Sequence, residues 1–172
     1  EKDLLAKGVL NKDQILFTQK RFVPKRLLVQ WHTTERCNLR CRHCYQADEV
    51  DVELSLEEEK NILEQIVKII SDWGVRGHIN FTGGEPFVKR SFPALIRKVF
   101  EFRKILGFAV LTNGSLIDDS LARELKRLRC RFVQVSLDGD PHIHDDDRGA
   151  HNFQKTIESI KLLKRRRLSV FV

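Results

Sequence analysis

Residues 27–45 read LLVQWHTTERCNLRCRHCY, a predicted β-strand that runs directly into a loop with three cysteines. The strand is predicted over residues 27–33, and its side chains alternate between a polar and an apolar face. The polar set is Gln30, His32 and Thr34, and the apolar set is Leu27, Val29 and Trp31. Because successive side chains of a strand point to opposite sides of its sheet, this sheet is predicted to have one polar face.

The same succession of strand, loop and helix repeats along the rest of the chain. Further strands are predicted over residues 78–82, 108–112, 131–137 and 168–172. Helices are predicted between them, over residues 56–73, from Ser91 to about Leu106, over residues 118–128 and from Asn152 onward. Strands and helices that alternate with connections of this length predict right-handed βαβ units and a parallel sheet.

Capping residues mark the ends of the predicted helices. Ser55 and Glu58 have the spacing of a capping box, and an apolar stripe follows at Ile62, Ile66, Ile69, Ile70 and Trp73. Ser91 and Asn152 are residue types that favour the N-cap position. Gly107 is predicted to be the C-cap of the second helix.

The polar face recurs on later strands, and this bears on how the sheet closes. Asn80 lies on the polar side of the second strand, and Gln134 on that of the fourth. An open, doubly wound sheet has helices on both faces, and its strands are apolar throughout. The polar face therefore favours the other alternative, an α/β fold that is a partial (β/α) barrel with a polar interior.

The chain is expected to be part of a longer protein. A (β/α) barrel does not close on five strands, and the sequence contains no methionine. Residues 27–172 are predicted to form the N-terminal part of the barrel domain, truncated after about five strands. Residues 1–26 are predicted to be an N-terminal extension with a possible strand at residues 14–18.

Composition excludes several classes of protein. The 172 residues suffice for one domain with a packed core. No apolar run is long enough to span a membrane, and no stretch resembles a signal peptide. The net charge is +7, from 31 Lys and Arg against 24 Asp and Glu. Basic runs such as residues 164–167 are typical of a solvated surface, and nucleic-acid binding has no support beyond this charge.

Every conspicuous motif follows the carboxyl end of a predicted strand. The cysteines follow the first strand, GGEP at 83–86 the second, TNG at 112–114 the third and SLDG at 136–139 the fourth. In parallel α/β folds these strand ends meet at one edge, where ligands bind. The four loops are therefore predicted to form one site.

Cys37, Cys41 and Cys44 are close enough in sequence to supply three thiolates from one loop. Soft thiolates bind iron–sulfur clusters, zinc or cuprous copper, and such clustering indicates a reducing compartment, here the cytoplasm. A structural zinc site needs four ligands, so His32 or His43 would have to complete it. A [4Fe–4S] cluster on three cysteines instead leaves one iron open to a further ligand.

These motifs together resemble the radical S-adenosylmethionine (radical SAM) superfamily over about residues 27–172. The cysteines followed by Tyr45, and then GGEP, carry the resemblance. LTNG at 111–114, SLDG and HDDDRG at 144–149 resemble one branch of it, the peptide and protein maturases with a C-terminal SPASM extension. The resemblance implies a [4Fe–4S] cluster whose open iron chelates SAM, with reductive cleavage to a 5′-deoxyadenosyl radical that abstracts hydrogen from a substrate.

The resemblance also implies roles for single residues. Cys37, Cys41 and Cys44 would ligate the cluster, and His43 would pack against the adenine of SAM. Gly83 and Gly84 would let the backbone approach SAM, and Glu85 would accept a hydrogen bond from its amino group. Asn113 and Ser136 would contact its ribose or methionyl end. The residues alone are also compatible with ordinary turns at GGEP and Asn113, and they leave the roles of Asp138 and Arg148 open.

The substrate implied by the resemblance is a peptide or protein undergoing maturation. Two alternatives stay open from the sequence. One is a radical SAM enzyme that acts on a small molecule in cofactor biosynthesis, and the other is a non-catalytic module that binds zinc or a cluster. The basic charge favours an acidic electron donor such as a flavodoxin or ferredoxin as a partner.

Overall fold

Five parallel strands form one sheet in the part of the chain that the computed structural model describes, residues 24–46 and 53–172. They are β1 (Arg26–His32), β2 (Arg76–Thr82), β3 (Leu106–Thr112), β4 (Val133–Val135) and β5 (Val170–Phe171). Their order in the sheet is β1-β2-β3-β4-β5, the order of the sequence. A doubly wound sheet would reverse its order at one point, so the predicted partial (β/α) barrel is confirmed.

Five α-helices connect these strands within the described residues. They are α1 (Leu56–Trp73), α2 (Phe92–Glu101), α3 (Asp119–Arg127), α4 (Pro141–Arg148) and α5 (Asn152–Arg165), and a short 3-10 turn covers Pro86–Val88. The bounds of α1 agree with the prediction. Ser55 and Glu58 form the predicted capping box, and Gly74 ends the helix in the left-handed conformation with φ 62°.

The apolar strand faces and the helices enclose the core. Phe81 lies at its centre, with ring centroids 5.8 Å from Trp31, 5.3 Å from Phe92 and 6.2 Å from Phe108. Leu63, Ile66 and Ile70 of α1 are buried beside them, whereas Ile69 and Trp73 of the predicted stripe are exposed. Burying one such side chain stabilises the fold by about 1.5–3 kcal/mol. The opposite face of the sheet carries the predicted polar set, of which Gln30, His32 and Gln134 are exposed.

The junction between α2 and β3 differs from the prediction. The helix ends at Glu101, and β3 begins at Leu106, so Gly107 lies inside the strand and is not a C-cap. A Cβ atom on Gly107 would lie 2.6 Å from Nε of Arg131, which packs against the glycine. Ser91 makes no side-chain cap for α2, because its hydroxyl donates to the buried Glu59 carboxylate at 3.2 Å.

The segment after β4 also differs from the prediction. The helix α4 was not expected; Asp140 caps it by accepting hydrogen bonds from the amides of His142 and Ile143. Asn152 is the first residue of α5 and not its cap, a position that His151 occupies with φ 64°. The predicted strand at residues 14–18 and most of the predicted extension lie outside the described residues.

The remaining bounds shift by a few residues. β1 begins and ends one residue earlier than predicted, β2 begins at Arg76 and α3 covers Asp119–Arg127. The last two strands are shorter than predicted. None of these shifts moves a motif away from the carboxyl end of its strand.

Candidate functional site

The four motif-bearing loops meet at the carboxyl ends of β1–β4 around one cavity of about 230 Å³. We call this cavity the rim pocket. Its walls are Cys37, Cys41, His43, Cys44, Tyr45, Gln46, Thr82, Gly83, Gly84, Leu111, Thr112, Asn113, Gln134, Ser136 and Arg148. Of the predicted site residues, Glu85 alone does not line it.

The cysteine loop bends so that its three thiols face the rim pocket. The amide of Cys44 donates to the carbonyl of Cys41 at 3.1 Å, and the amide of Leu39 donates to Sγ of Cys37 at 3.4 Å. Burial raises the pKa of the Cys37 and Cys41 thiols, and the nearby Arg148 opposes this effect at Cys41. Metal binding therefore has to displace protons from these two thiols.

The arrangement of the three thiols fits a cluster better than a single ion. No three His, Cys, Asp or Glu side chains in the described part of the chain lie close enough to hold one metal ion. Neither histidine proposed for zinc is placed to complete such a site, because His32 contacts Gln46 at 2.6 Å and His43 faces Asp147 at 3.8 Å. A cubane cluster binds each cysteine at a different iron corner, so three thiols that line one shared cavity are compatible with it.

The glycines of GGEP lie against the start of the cysteine loop. The amide of Gly84 donates to the carbonyl of Thr34 at 2.8 Å, and the amide of Glu85 donates to the carbonyl of Arg36 at 2.9 Å. A Cβ atom on Gly84 would lie 2.3 Å from the Arg36 oxygen, and one on Gly83 would lie 2.4 Å from the Thr34 oxygen. Backbone atoms cannot yield as a flexible side chain does, so this packing itself requires glycine at both positions.

Glu85 points into the protein and not into the rim pocket. Its side chain is 0% exposed, and its carboxylate accepts hydrogen bonds from the Thr112 hydroxyl at 2.8 Å, the Asn113 amide at 2.8 Å and the Phe87 amide at 3.3 Å. Burial raises its pKa to about 7. In this structure the carboxylate joins the second loop to the third, and its contact with the amino group of SAM stays a prediction.

Asn113 and Ser136 line the wall of the rim pocket, and their contacts with SAM stay a prediction. The side-chain amide of Asn113 donates to Asn38 at 3.1 Å and lies 3.8 Å from Sγ of Cys37. Its side-chain oxygen accepts from the amide of Ser115 at 2.9 Å, which is the ordinary turn geometry that the sequence left open. The two possibilities are therefore compatible: Asn113 forms the turn and also reaches the cysteine loop.

Arg148 and Asp138, which the sequence left unassigned, form a pair at the edge of the rim pocket. Nε of Arg148 donates to the Asp138 carboxylate. Nη1 of Arg148 lies 3.9 Å from Sγ of Cys41, and Nη2 lies 3.5 Å from the His43 ring. His144, which is 0% exposed, accepts a hydrogen bond from the Asp138 amide at 3.3 Å and so holds the loop.

A buried ion pair at the base of the cysteine loop was missed from the sequence. The ammonium group of Lys89 donates to the Glu59 carboxylate at 2.8 Å and to the carbonyls of Thr33 and Leu54, both at 3.0 Å. Thr33 and Leu54 flank the segment with the cysteines, so Lys89 joins the two ends of that segment. The available signal was that Glu59 lies four residues before Leu63 on the buried side of α1.

Comparison with known proteins identifies the class to which this fold and site belong. The family model described as the radical SAM superfamily matches residues 31–172. The chain belongs to that superfamily, as the cysteine and GGEP motifs predicted. Radical SAM proteins are enzymes that use a [4Fe–4S] cluster and SAM.

Two curated relatives and one solved structure are similar to particular parts of the chain. Fe-coproporphyrin III synthase of Methanosarcina barkeri is 38% identical over 128 residues, 73% of this chain and 30% of that protein. GTP 3′,8-cyclase of Syntrophomonas wolfei is 41% identical over 110 residues, 61% of this chain and 32% of that protein. The structure of anSMEcpe with bound AdoMet and the Cp18Cys peptide is 25% identical, with a TM-score of 0.69, over 86% of this chain and 42% of that one.

The chain spans about a third of the length of these curated relatives. Their names refer to small-molecule products or substrates, whereas the similar solved structure contains a peptide. The superfamily is therefore established, and the predicted SPASM branch is not. Among the described residues no helix is both long and apolar enough to cross a membrane.

Proposed function

We propose that the protein is a radical SAM enzyme that acts on a small molecule in the biosynthesis of a cofactor. The observation that carries this proposal is the identity of 38% and 41% to Fe-coproporphyrin III synthase and GTP 3′,8-cyclase. The peptide-maturase function expected from SLDG and HDDDRG has weaker support, the 25% identity to a structure with a bound peptide. It is the second candidate.

In this proposal Cys37, Cys41 and Cys44 hold the [4Fe–4S] cluster and the rest of the rim pocket receives SAM. When bound, the two groups supply a carbon radical that removes a hydrogen atom from the substrate. The polar wall of the pocket would orient the polar parts of SAM, with Asn113 and Ser136 as hydrogen-bonding groups. His43 would contact the adenine, and the backbone at Gly83 and Gly84 would border the methionyl part.

Arg148 is the cationic group of the rim pocket that suits the carboxylate of SAM. Its side chain is 12% exposed and carries donors in a planar fork, which matches a carboxylate well. The Asp138 carboxylate accepts the hydrogen bond from Nε of Arg148, and the two Nη groups lie beside Cys41 and His43 in the wall of the rim pocket. Ser136 follows β4 directly, two residues before Asp138, and would complete the contact.

The test is formation of 5′-deoxyadenosine by the anaerobically reconstituted, dithionite-reduced protein with SAM. We expect formation to be stimulated by a small molecule, of which GTP is the first to test. The variant Cys44→Ser should abolish it, while Cys130→Ser, which changes a buried cysteine away from the rim pocket, should not. Stimulation by a precursor peptide alone would favour the second candidate. About one zinc and no iron per chain after anaerobic purification would contradict both.

We further propose that the electron donor is an acidic protein such as a flavodoxin or ferredoxin, located with this protein in the cytoplasm. The support is the net charge of +7 and the exposed Arg36, Arg40 and Arg42 beside the cysteines. Opposite charges on two partners raise the rate at which they meet.

A further inference from the structure

The contact between Arg148 and Cys41 connects a fixed positive charge to a predicted cluster ligand. Nη1 of Arg148 lies 3.9 Å from Sγ of Cys41, within the range of a hydrogen bond to sulfur. The arginine side chain is only 12% exposed, so water screens its charge weakly. Arginine keeps its proton in proteins at any pH that they tolerate, so this charge is permanent.

Arg148 is held in this position from several sides. Asp138 accepts a hydrogen bond from Nε, and the amide of Asp138 is in turn held by the buried His144. The helix that carries Arg148 is joined to the cysteine loop, because the amide of Arg42 donates to the carbonyl of Asp147 at 2.9 Å. The guanidinium therefore does not need to move in order to face Cys41.

From this geometry we propose that Arg148 raises the reduction potential of the cluster held by Cys37, Cys41 and Cys44. The inference rests on the proposed function, since it requires the cluster. Reduction adds one electron from a low-potential donor, so the reduced cluster is more negative by one charge. Hydrogen bonds to cluster sulfurs and nearby charges are established determinants of cluster potential. A guanidinium beside a ligand sulfur stabilises the reduced form more than the oxidised form.

The negative charge of Asp138 does not cancel this effect. Asp138 bonds to Nε, whereas the Nη1 group faces the sulfur. The group in contact with this sulfur is therefore the positively charged one of the pair.

The experiment is an EPR-monitored redox titration of the reconstituted protein without SAM, comparing wild type with Arg148→Gln and Arg148→Lys. We expect R148Q to make reduction about tenfold less favourable, which lowers the midpoint potential by about 59 mV for one electron. R148K keeps the charge on a shorter side chain without the fork, so its potential should lie between the other two. Omitting SAM separates this effect from any contact with the SAM carboxylate.

Arg97→Gln is the matched control, because Arg97 also pairs with a carboxylate, at 2.8 Å from Glu124, but lies outside the rim pocket. Its potential should equal that of wild type. An R148Q potential equal to or above wild type, at full iron content, overturns the inference. If R148Q retains no iron, R148K decides: a potential below wild type supports the inference, and one equal or higher overturns it. Failure of the wild type itself to load a cluster or cleave SAM would instead contradict the proposed function.

Discussion

Glu85 is a buried carboxyl group that three donors of its own chain surround. Burial outweighs these donors and raises its pKa from 4.5 to about 7. The folded protein therefore holds a proton on Glu85 over a range of pH in which the unfolded chain has lost it. Linkage requires the free energy of unfolding to fall as the pH rises across that range.

We predict that the ionisation of Glu85 lowers the free energy of unfolding by about 3 kcal/mol as the pH rises from below 4.5 to above 7. The magnitude follows from the difference between the two pKa values, since one unit of pKa is about 1.4 kcal/mol. The variant Glu85→Gln should lose this slope. Urea unfolding of the metal-free protein from pH 5 to pH 8 measures it, with the exposed Glu57→Gln as control. Parallel pH profiles of Glu85→Gln and wild type would contradict the assigned cause.

Two buried histidines differ in whether their nitrogens have partners. His78 is 7% exposed and stacks on Phe132 at 5.9 Å, and neither of its ring nitrogens has a hydrogen-bond partner among the described residues. His144 is 0% exposed and accepts from the Asp138 amide. Burial lowers the pKa of both rings, so both are neutral at pH 7.

We predict opposite effects of the same substitution at these two positions. His78→Phe should keep or increase the free energy of unfolding, by up to about 1 kcal/mol, because it removes buried polar atoms that lack partners. His144→Phe should decrease it by about 1–3 kcal/mol, because the Asp138 amide loses its acceptor. Urea unfolding at pH 7.5 measures both. Equal losses in the two variants would be inconsistent with this account.

Among the elements, α1 could be predicted to the residue because local signals mark both of its ends. Ser55 and Glu58 mark its start, and Gly74 follows its last residue. The end of α2 could not be predicted, since apolar residues continue from the helix through the turn into β3 and no residue type marks the boundary. The helix α4 has few apolar residues, so its sequence shows no stripe; Asp140 and Pro141 were its only signals.

The candidate site was predictable to the extent that it depends on strand ends and on residue types with specific chemistry. The three cysteines, the glycines, Asn113 and Ser136 lie together because parallel strands end at one edge. The direction of the Glu85 side chain could not be predicted, because it depends on donors from a loop distant in sequence. The same holds for Arg148, whose contact with Cys41 joins residues 107 positions apart.

At the base of the cysteine loop, we predict that Lys89→Met destabilises the fold by about 3–5 kcal/mol, because Glu59 is left buried without its counter-charge. The variant should also bind less iron per chain, since Thr33 and Leu54 are no longer joined. The double variant Lys89→Met with Glu59→Leu should recover much of the stability but not the iron.

Urea unfolding and iron analysis test this prediction of two separable effects. Lys98→Met is the control, since Lys98 pairs with an exposed glutamate at 2.7 Å and such pairs contribute at most about 1 kcal/mol. A double variant that recovers both stability and iron binding would show that Lys89 acts on the loop only through the stability of the fold.

For the molecule as a whole, the excess of basic residues predicts how electron transfer responds to salt. The net charge is +7. We expect the rate of SAM cleavage with a flavodoxin as reductant to fall as the ionic strength rises, because salt screens charges over about 10 Å at 0.1 M. The rate with dithionite should change much less. Equal salt dependence with both reductants would remove the support for an acidic protein donor.

The hydrogen bonds of Glu85 form part of a closed ring of contacts at the carboxyl edge of the sheet. The side-chain amide of Asn113 contacts Sγ of Cys37, and its backbone amide donates to the Glu85 carboxylate. The backbone amide of Glu85 donates to the carbonyl of Arg36, the residue before Cys37, which closes the ring. Each residue of this ring is bonded to its neighbours on both sides, so the displacement of one strains the contacts of the next. A ligand that displaces the GGEP turn should therefore shift the Cys37 thiol without contacting it. A substitution at any residue of the ring should likewise change the position of that thiol.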